Sequence, residues 1–331
     1  MKKILIAIIV FVCSLALPVS VGAVWLSSDD VVANSWTDGE NIFQATKVGR
    51  TILFKGKNTY DDAVYSFAMV PAGNSYSVVR KVVRGTKDAL PLIHIADAIP
   101  VAASLKILNG KNCIVMYDSK GAPCYVLKVG SDLDAITEQS YRNYAWSGHY
   151  VDDKGGRYYF NPDKFLVKGF RGTSGEAPYE IMSEKSRPLN VITLASGETV
   201  MLVNHYERLE LRRTHYEDDL WLDDGPLVTL CRCGDPDGSI VVDASHPFIS
   251  SVALTYGELK IATCQHHDDA YYFMNEILAR HGVVFKDAEL KRFFSGQDWY
   301  MPRPKANERL SEIERINYSM LNLMLEQDGT E

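Results

Sequence analysis

The sequence predicts a mainly β chain: one or two antiparallel β-sheet domains, sandwich or small barrel, followed by a small α-helical C-terminal domain. Three observations carry this reading. Short runs rich in β-branched and aromatic residues recur between Val24 and Cys264, among them TILFK, AVYSFAMV, YSVVRKVV, SLKIL, CIVMYD, VITLAS, TVMLVNHY and LVTLCRC. Turn signals separate them: Asp38-Gly39, Asn109-Gly110, Lys120-Gly121, Gly155-Gly156, Ser196-Gly197 and Asp224-Gly225. After Asp269 the apolar spacing changes to that of amphipathic helices. Strands joined by tight turns are antiparallel, and the chain shows no βαβ rhythm, phosphate loop or dinucleotide fingerprint.

The chain divides into residues 1–23, 24–138, 139–265 and 266–331. The first 23 residues, MKKILIAIIVFVCSLALPVSVGA, open with two lysines and continue as an apolar run to about Leu17. They end on small residues after Pro18, the layout of a cleaved export signal. The apolar run is short for a membrane span, which takes roughly 20 residues. Cys13 follows Val12, which is not small, so lipidation there is not expected. A secreted or periplasmic protein with no membrane insertion after cleavage is expected. The whole chain carries −7, and losing Lys2 and Lys3 makes the remainder two units more negative. Nucleic-acid binding, which needs concentrated positive charge, is not expected.

Within the β region, GSDLDAITEQSYRN (Gly130 to Asn143) reads as a linker or short helix, because Leu133, Ile136 and Tyr141 stand at roughly helical spacing. It divides two β domains. WSGHYVDDKGGRYYFNPDKFLV then opens a run of hairpins whose pattern is shared with the start of small lipocalin-type barrels and with many antiparallel sandwiches. Five cysteines follow the leader: Cys113, Cys124, Cys231, Cys233 and Cys264. An exported compartment permits disulfides. Cys113 and Cys124 flank a hairpin and are expected to pair across it, while Cys231 or Cys233 is placed to meet Cys264. The alternative is that these are small buried hydrophobes.

Several clusters invite a chemical reading. YEDDLWLDDG (Tyr216 to Gly225) carries enough carboxylates for calcium, but without a loop motif it reads as a solvated loop. DPDG at Asp235–Gly238 lacks the EF-hand spacing and reads as a turn. CQHHDD (Cys264 to Asp269), with Cys231-x-Cys233, holds zinc-type ligands. The simpler reading makes Asp268 or Asp269 the cap of the next helix. No Gly-x-Ser-x-Gly elbow or His-Glu-x-x-His occurs. No catalytic residue, metal ligand or cofactor is therefore assigned.

The C-terminal segment reads as three helices. AYYFMNEILARHG stops on Gly282, a residue suited to a left-handed cap, with Glu276 and Arg280 four apart. Asp287 caps AELKRFFS. WYMPRPK is extended because Pro302 and Pro304 exclude helix. Ser311 and Glu314 form a capping box for a helix reaching about Leu325.

The positions Asn275, Glu276, Ile277, Ala279, Arg280, His281, Gly282, Phe285, Leu290, Phe293, Phe294, Trp299, Tyr300, Pro302 and Asn317 follow in an order that closely resembles the YARHG domain of exported bacterial proteins. The resemblance covers roughly the last 65 residues, with Leu278 where the family's namesake tyrosine stands. It implies an extracytoplasmic, envelope-associated role and no particular chemistry.

The polar cluster has two readings. In one, Glu276 holds Arg280, which stacks on Trp299 or Tyr300, while Asn275 and His281 satisfy loop backbone groups. In the other, Asn275, Glu276, Arg280, His281, Trp299 and Tyr300 form a binding site for a carboxylate or glycan. The expected function is a non-enzymatic envelope module that binds a cell-wall component or a protein partner. The alternative is an envelope hydrolase with its active site in the β region. Intact-mass measurement of the exported protein is expected to place its first residue at Val24, or within a residue or two of it.

Overall fold

The computed structural model describes residues 27–58, 63–88, 99–161, 163, 166–169, 175–181, 190–218, 220–233, 245–264, 267–304 and 309–328. Residues 1–26, Cys13 among them, the DPDG stretch expected to be a turn, and Gln265 and His266 of CQHHDD lie outside them. The architecture is mainly β: two eight-stranded antiparallel barrels followed by a helical C-terminal region.

The first barrel begins after a short helix, α1 (Ser28–Val32), that is closed by a Ser27–Asp30 capping box. Its strands are β1 (Ser35–Thr37), β2 (Asn41–Val48), β3 (Thr51–Asn58), β4 (Val64–Ala72), β5 (Ser75–Arg80), β7 (Ala102–Leu108), β8 (Lys111–Tyr117) and β9 (Pro123–Val129). Each pairs antiparallel with the next, and β9 returns to β1 to close the cycle. A two-residue strand, β6 (Lys87–Asp88), lies parallel to the start of β4. The β7–β8 turn takes positive φ at both Asn109 and Gly110, the geometry that an Asn-Gly pair adopts at least cost. Inward positions carry large apolar groups, and Phe54 stacks on Phe67 at 4.4 Å.

Helix α2 (Leu133–Ser140), capped by Asp132, runs into a π-helical turn over Tyr141–Trp146. Together they form the expected connection. The second barrel follows as β10 (Gly148–Val151), β11 (Arg157–Asn161), β12 (Leu166–Lys168), β13 (Glu176–Ile181), β14 (Val191–Leu194), β15 (Thr199–Asn204), β16 (Arg208–Glu217) and β17 (Leu220–Cys233). It is an up-and-down barrel closed by β10 pairing with β17. Of the two architectures the hairpin pattern allowed, the barrel is the one formed. Its interior is filled by Tyr150, Phe160, Tyr179, Ile192, Leu202, Leu211 and Leu230, as expected when eight strands close on side chains.

Two expectations are corrected in β16 and β17. Asp224-Gly225 is not a turn. It lies within β17, where Thr214 pairs with Asp223 and Arg213 with Gly225, so Asp224 is the extra residue of a bulge. The acidic run is therefore the tip of a long hairpin rather than a loop. Its carboxylates pair locally, Asp223 with Arg212 at 2.6 Å and Asp224 and Glu217 with His215. Among the described residues, no group of three or more His, Cys, Asp or Glu is arranged to hold a metal.

The helical region comprises α3 (Phe248–Ser251), α4 (Tyr256–Ala262), α5 (His267–Arg280), α6 (Ala288–Ser295) and α7 (Glu312–Asp328). Most of it shares one core with the first barrel. Ile249, Leu254, Leu259, Phe273, Ile277, Ile316, Met320 and Leu321 belong to the same apolar cluster as Trp36, Phe43, Phe67 and Tyr125. Buried polar links reinforce this seam. Lys128 of β9 meets Glu258 of α4 at 2.6 Å, and Glu258 also closes a capping box with Thr255. Asn317 of α7 donates to the Ile249 and Val252 carbonyls, 2.7 Å each, and accepts from Leu254 N–H at 2.9 Å. No helix of the described residues is long and apolar enough to cross a membrane.

Cys113, Cys124, Cys231, Cys233 and Cys264 form no disulfide among the described residues. The expected Cys113–Cys124 bridge fails on register. Cys113 faces Lys128, whereas Cys124 adjoins Tyr125, the partner of Met116. The offset of about four residues is roughly 13 Å along a strand, against a Cα separation of at most about 7 Å for a bridge. The Cys113 and Cys124 thiols contact the Lys111 and Met116 carbonyls instead. Burial pushes the Cys124 thiol up to about 12, so it is protonated and unreactive in the fold. Thiol titration of a chain that begins at Val24, unfolded without reductant, is expected to count five reactive groups.

Candidate functional site

The cluster singled out in NEILARHG forms at the end of α5. Glu276 is 0% exposed, one turn before the helix stops. Its carboxylate collects donors from three segments. Arg280, one turn on, donates from Nε at 3.0 Å and from Nη2 at 2.5 Å to Oε1. His246, just ahead of α3, donates its backbone N–H to Oε1 at 2.7 Å, and its Nδ1 stands 3.0 Å from Oε2. Tyr206, in the β15–β16 turn of the second barrel, donates its hydroxyl to Oε2 at 2.7 Å. A buried carboxylate persists only when it is paired and hydrogen-bonded. Here both requirements are met, and the donors hold the second barrel, the segment before α3 and α5 together.

The electrostatics follow from this arrangement. Burial acts to raise the Glu276 carboxyl, but the His246, Arg280 and Tyr206 contacts outweigh it and hold it below its ordinary value. Burial beside Glu276 pushes the Tyr206 hydroxyl far up, so it remains a donor. Burial, with Arg232 close by, lowers His246 to about 4 despite its bond to Glu276. The ring is therefore neutral near pH 7, with the proton on Nδ1 and facing the carboxylate.

The outer side of the cluster is built by the segment after α5. Gly282, at φ +80°, ends the helix, and a Cβ there would stand 2.8 Å from the Met301 carbonyl. Only glycine allows both the left-handed turn and this close approach. Arg303 N–H donates to the Gly282 carbonyl at 2.8 Å and Tyr300 Oη to the Val283 carbonyl at 2.6 Å, drawing the WYMP segment over the helix end. That places the Trp299 ring 5.0 Å from the Arg280 guanidinium carbon. Arg280 also donates to Ser245 Oγ at 2.7 Å.

The structure thus brings Glu276, Arg280 and Trp299 together and gives the other three expected site residues separate partners. Asn275 and His281 do not satisfy loop backbone groups, as one reading expected. Asn275 is buried and donates to the Tyr271 carbonyl of its own helix, because its side chain reaches back one turn. His281 pairs with Glu314 at 3.0 Å, on the capping box that Glu314 forms with Ser311. Tyr300 holds Val283. The expected cap at Asp268 or Asp269 is also displaced. Both lie in the first turn of α5, where carboxylates still favour the dipole, and Asp269 accepts from Tyr206 N–H at 3.0 Å. Sequence reasoning missed Tyr206 and His246, which lie 70 and 30 residues from Glu276. Neither has a motif around it.

Beside the clasp lies an open cleft of about 1110 Å³ between the β15–β16 turn and helices α5 and α6. Tyr271, Tyr272 and Phe293 present half-buried rings to it. Tyr272 stacks on Tyr206 at 5.3 Å and donates to Glu289 at 2.8 Å. Glu207, Arg208, Asp268, Glu289 and Arg292 line it with charges of both signs.

Residues 249–324 match the family model described as the YARHG domain. No curated protein and no solved structure matches the chain.

Glu276→Ala removes the common acceptor of three segments and is expected to cost about 3–5 kcal/mol. Arg280→Ala leaves Glu276 its His246 and Tyr206 donors and is expected to cost less. Urea unfolding of the full chain ranks the two. A pH series tests His246. Its ring is lowered from 6.5 to about 4, so its contribution to stability is whole above about pH 6.5 and is lost as pH falls toward 4. His246→Asn is expected to flatten that part of the stability profile.

Proposed function

We propose that this protein is an exported envelope protein without catalytic activity. In this reading its YARHG helices, braced against two barrels, bind a cell-wall component in the cleft between the second barrel and α5–α6. One observation carries the proposal: the cleft joins the faces of Tyr271, Tyr272 and Phe293 to acids and bases on a common wall. Aromatic faces offer flat apolar area suited to sugar rings. Alternating Glu289, Arg292, Glu207 and Arg208 suit a peptide that carries both amines and carboxylates. The YARHG match supports an extracytoplasmic setting.

Of the six residues of the sequence reading, Glu276 is the one that braces the cleft, through its bond to Tyr206. Tyr271 and Tyr272 stand one turn before Asn275 and Glu276 on the same helix, and the clasp fixes that helix against Tyr206. The hydrolase reading lacks such support. The buried His–carboxylate pair, His246–Glu276, is spent on the clasp, and Ser245 is bonded to Arg280 rather than to the His246 ring.

Co-sedimentation with purified peptidoglycan tests the proposal. Tyr271→Ala and Arg292→Glu, both at the cleft surface, are expected to weaken binding about tenfold each, as loss of a contact worth about 1.4 kcal/mol does. They are expected to leave the melting temperature nearly unchanged. Unaltered sedimentation of both variants would place binding elsewhere.

A further inference from the structure

A second, smaller pocket of about 250 Å³ opens where β10, the end of β17 and the segment before α3 meet, and Arg232 and His246 line it. Arg232 is 9% exposed. Its guanidinium carbon stands 5.1 Å from the Tyr150 ring centroid. Nη1 donates to the Ser147 carbonyl and Nη2 to the Ala145 carbonyl, 3.0 Å each. These contacts hold the group in place and use two of its five N–H donors. Nε is buried without an acceptor.

Among the described residues no carboxylate stands within ion-pair distance of Arg232. The nearby acid of the clasp, Glu276, is already bonded to Arg280. Buried charges in folded proteins are paired, because an unpaired one costs several kcal/mol of desolvation. A guanidinium that is oriented, desolvated and without a counterion beside an open pocket is the arrangement of an anion receptor.

We propose that this pocket binds the C-terminal carboxylate of a short peptide on the Arg232 guanidinium. One planar fork with one charge matches a planar monoanion, whereas a phosphate dianion calls for a second cation. His246 adds a complementary feature. With Nδ1 donating to Glu276, its Nε2 is left as an acceptor, which suits the peptide N–H that precedes a terminal carboxylate. Pro247 and Phe248 supply apolar wall for a small side chain. The site is separate from the aromatic cleft and stands whether or not that cleft binds cell wall.

The test is calorimetric titration of the full chain with N-acetyl-Ala-Ala as free acid, with its C-terminal amide, and with inorganic phosphate. The free acid is expected to bind at least tenfold tighter than either of the others. The Arg232 Nε–H resonance is expected to shift on titration, and Arg232→Gln to abolish binding. Where that variant fails to fold, the resonance in the unaltered protein decides. Equal affinity for acid and amide, tighter binding of phosphate, no binding of the acid, or acid binding that leaves the Arg232 resonance unmoved would each overturn the assignment.

Discussion

The carboxylate of Glu276 is the constraint on which the C-terminal half of the molecule depends. At zero exposure it has no water to turn to, so every lone pair must find a protein donor. The donors come from the last turn of α5, from His246 and from a turn of the second barrel. None of these segments can move away without stranding a buried charge. The clasp therefore sets where Tyr206 sits, and Tyr206 in turn stacks on Tyr272 and packs edge-on against Phe273 and Phe293. One ionised group thus positions the aromatic wall of the cleft.

The helical region is held differently on its other side. There the bond is apolar, a core shared with the first barrel and spanned by Asn317 and the Lys128–Glu258 pair. The helices lie between a hydrophobic seam and a polar clasp, and they serve as a common wall for two barrels. The second barrel's interior is filled with side chains, so the spaces open to a ligand lie at its junctions with the helices. Such junctions bring together chemistry from distant stretches of chain, which is where binding sites tend to occur.

The unbridged Cys113 and Cys124 show where sequence reasoning overreached. Cys113 and Cys124 look paired because they flank a hairpin. In the sheet the turn is at Ser119 to Gly121, and Cys113 lies six residues before it but Cys124 only three after it. A bridge depends on a few ångströms of register, and spacing along the chain does not resolve that distance. The Asp224-Gly225 pair fails for a related reason. A glycine at positive φ serves a bulge as well as a turn, and only the pairing of β16 with β17 distinguishes them.

The sequence by itself determined what depends on neighbours along the chain. Alternating apolar residues and Asn-Gly or Asp-Gly turns made antiparallel strands legible, because side-chain direction repeats every two residues. The Gly282 stop, the Asp287 cap and the Ser311–Glu314 box were legible because capping acts within four residues. So was the Glu276–Arg280 pair, one helical turn apart. Barrel closure, the core shared between helices and first barrel, and the partners of Glu276 were decided only by the tertiary structure. Tyr206, His246 and Arg232 acquire their roles from burial beside groups tens of residues away. Burial converts an ordinary side chain into an obligate donor or an unpaired charge, and burial belongs to the packed chain rather than to any stretch of sequence.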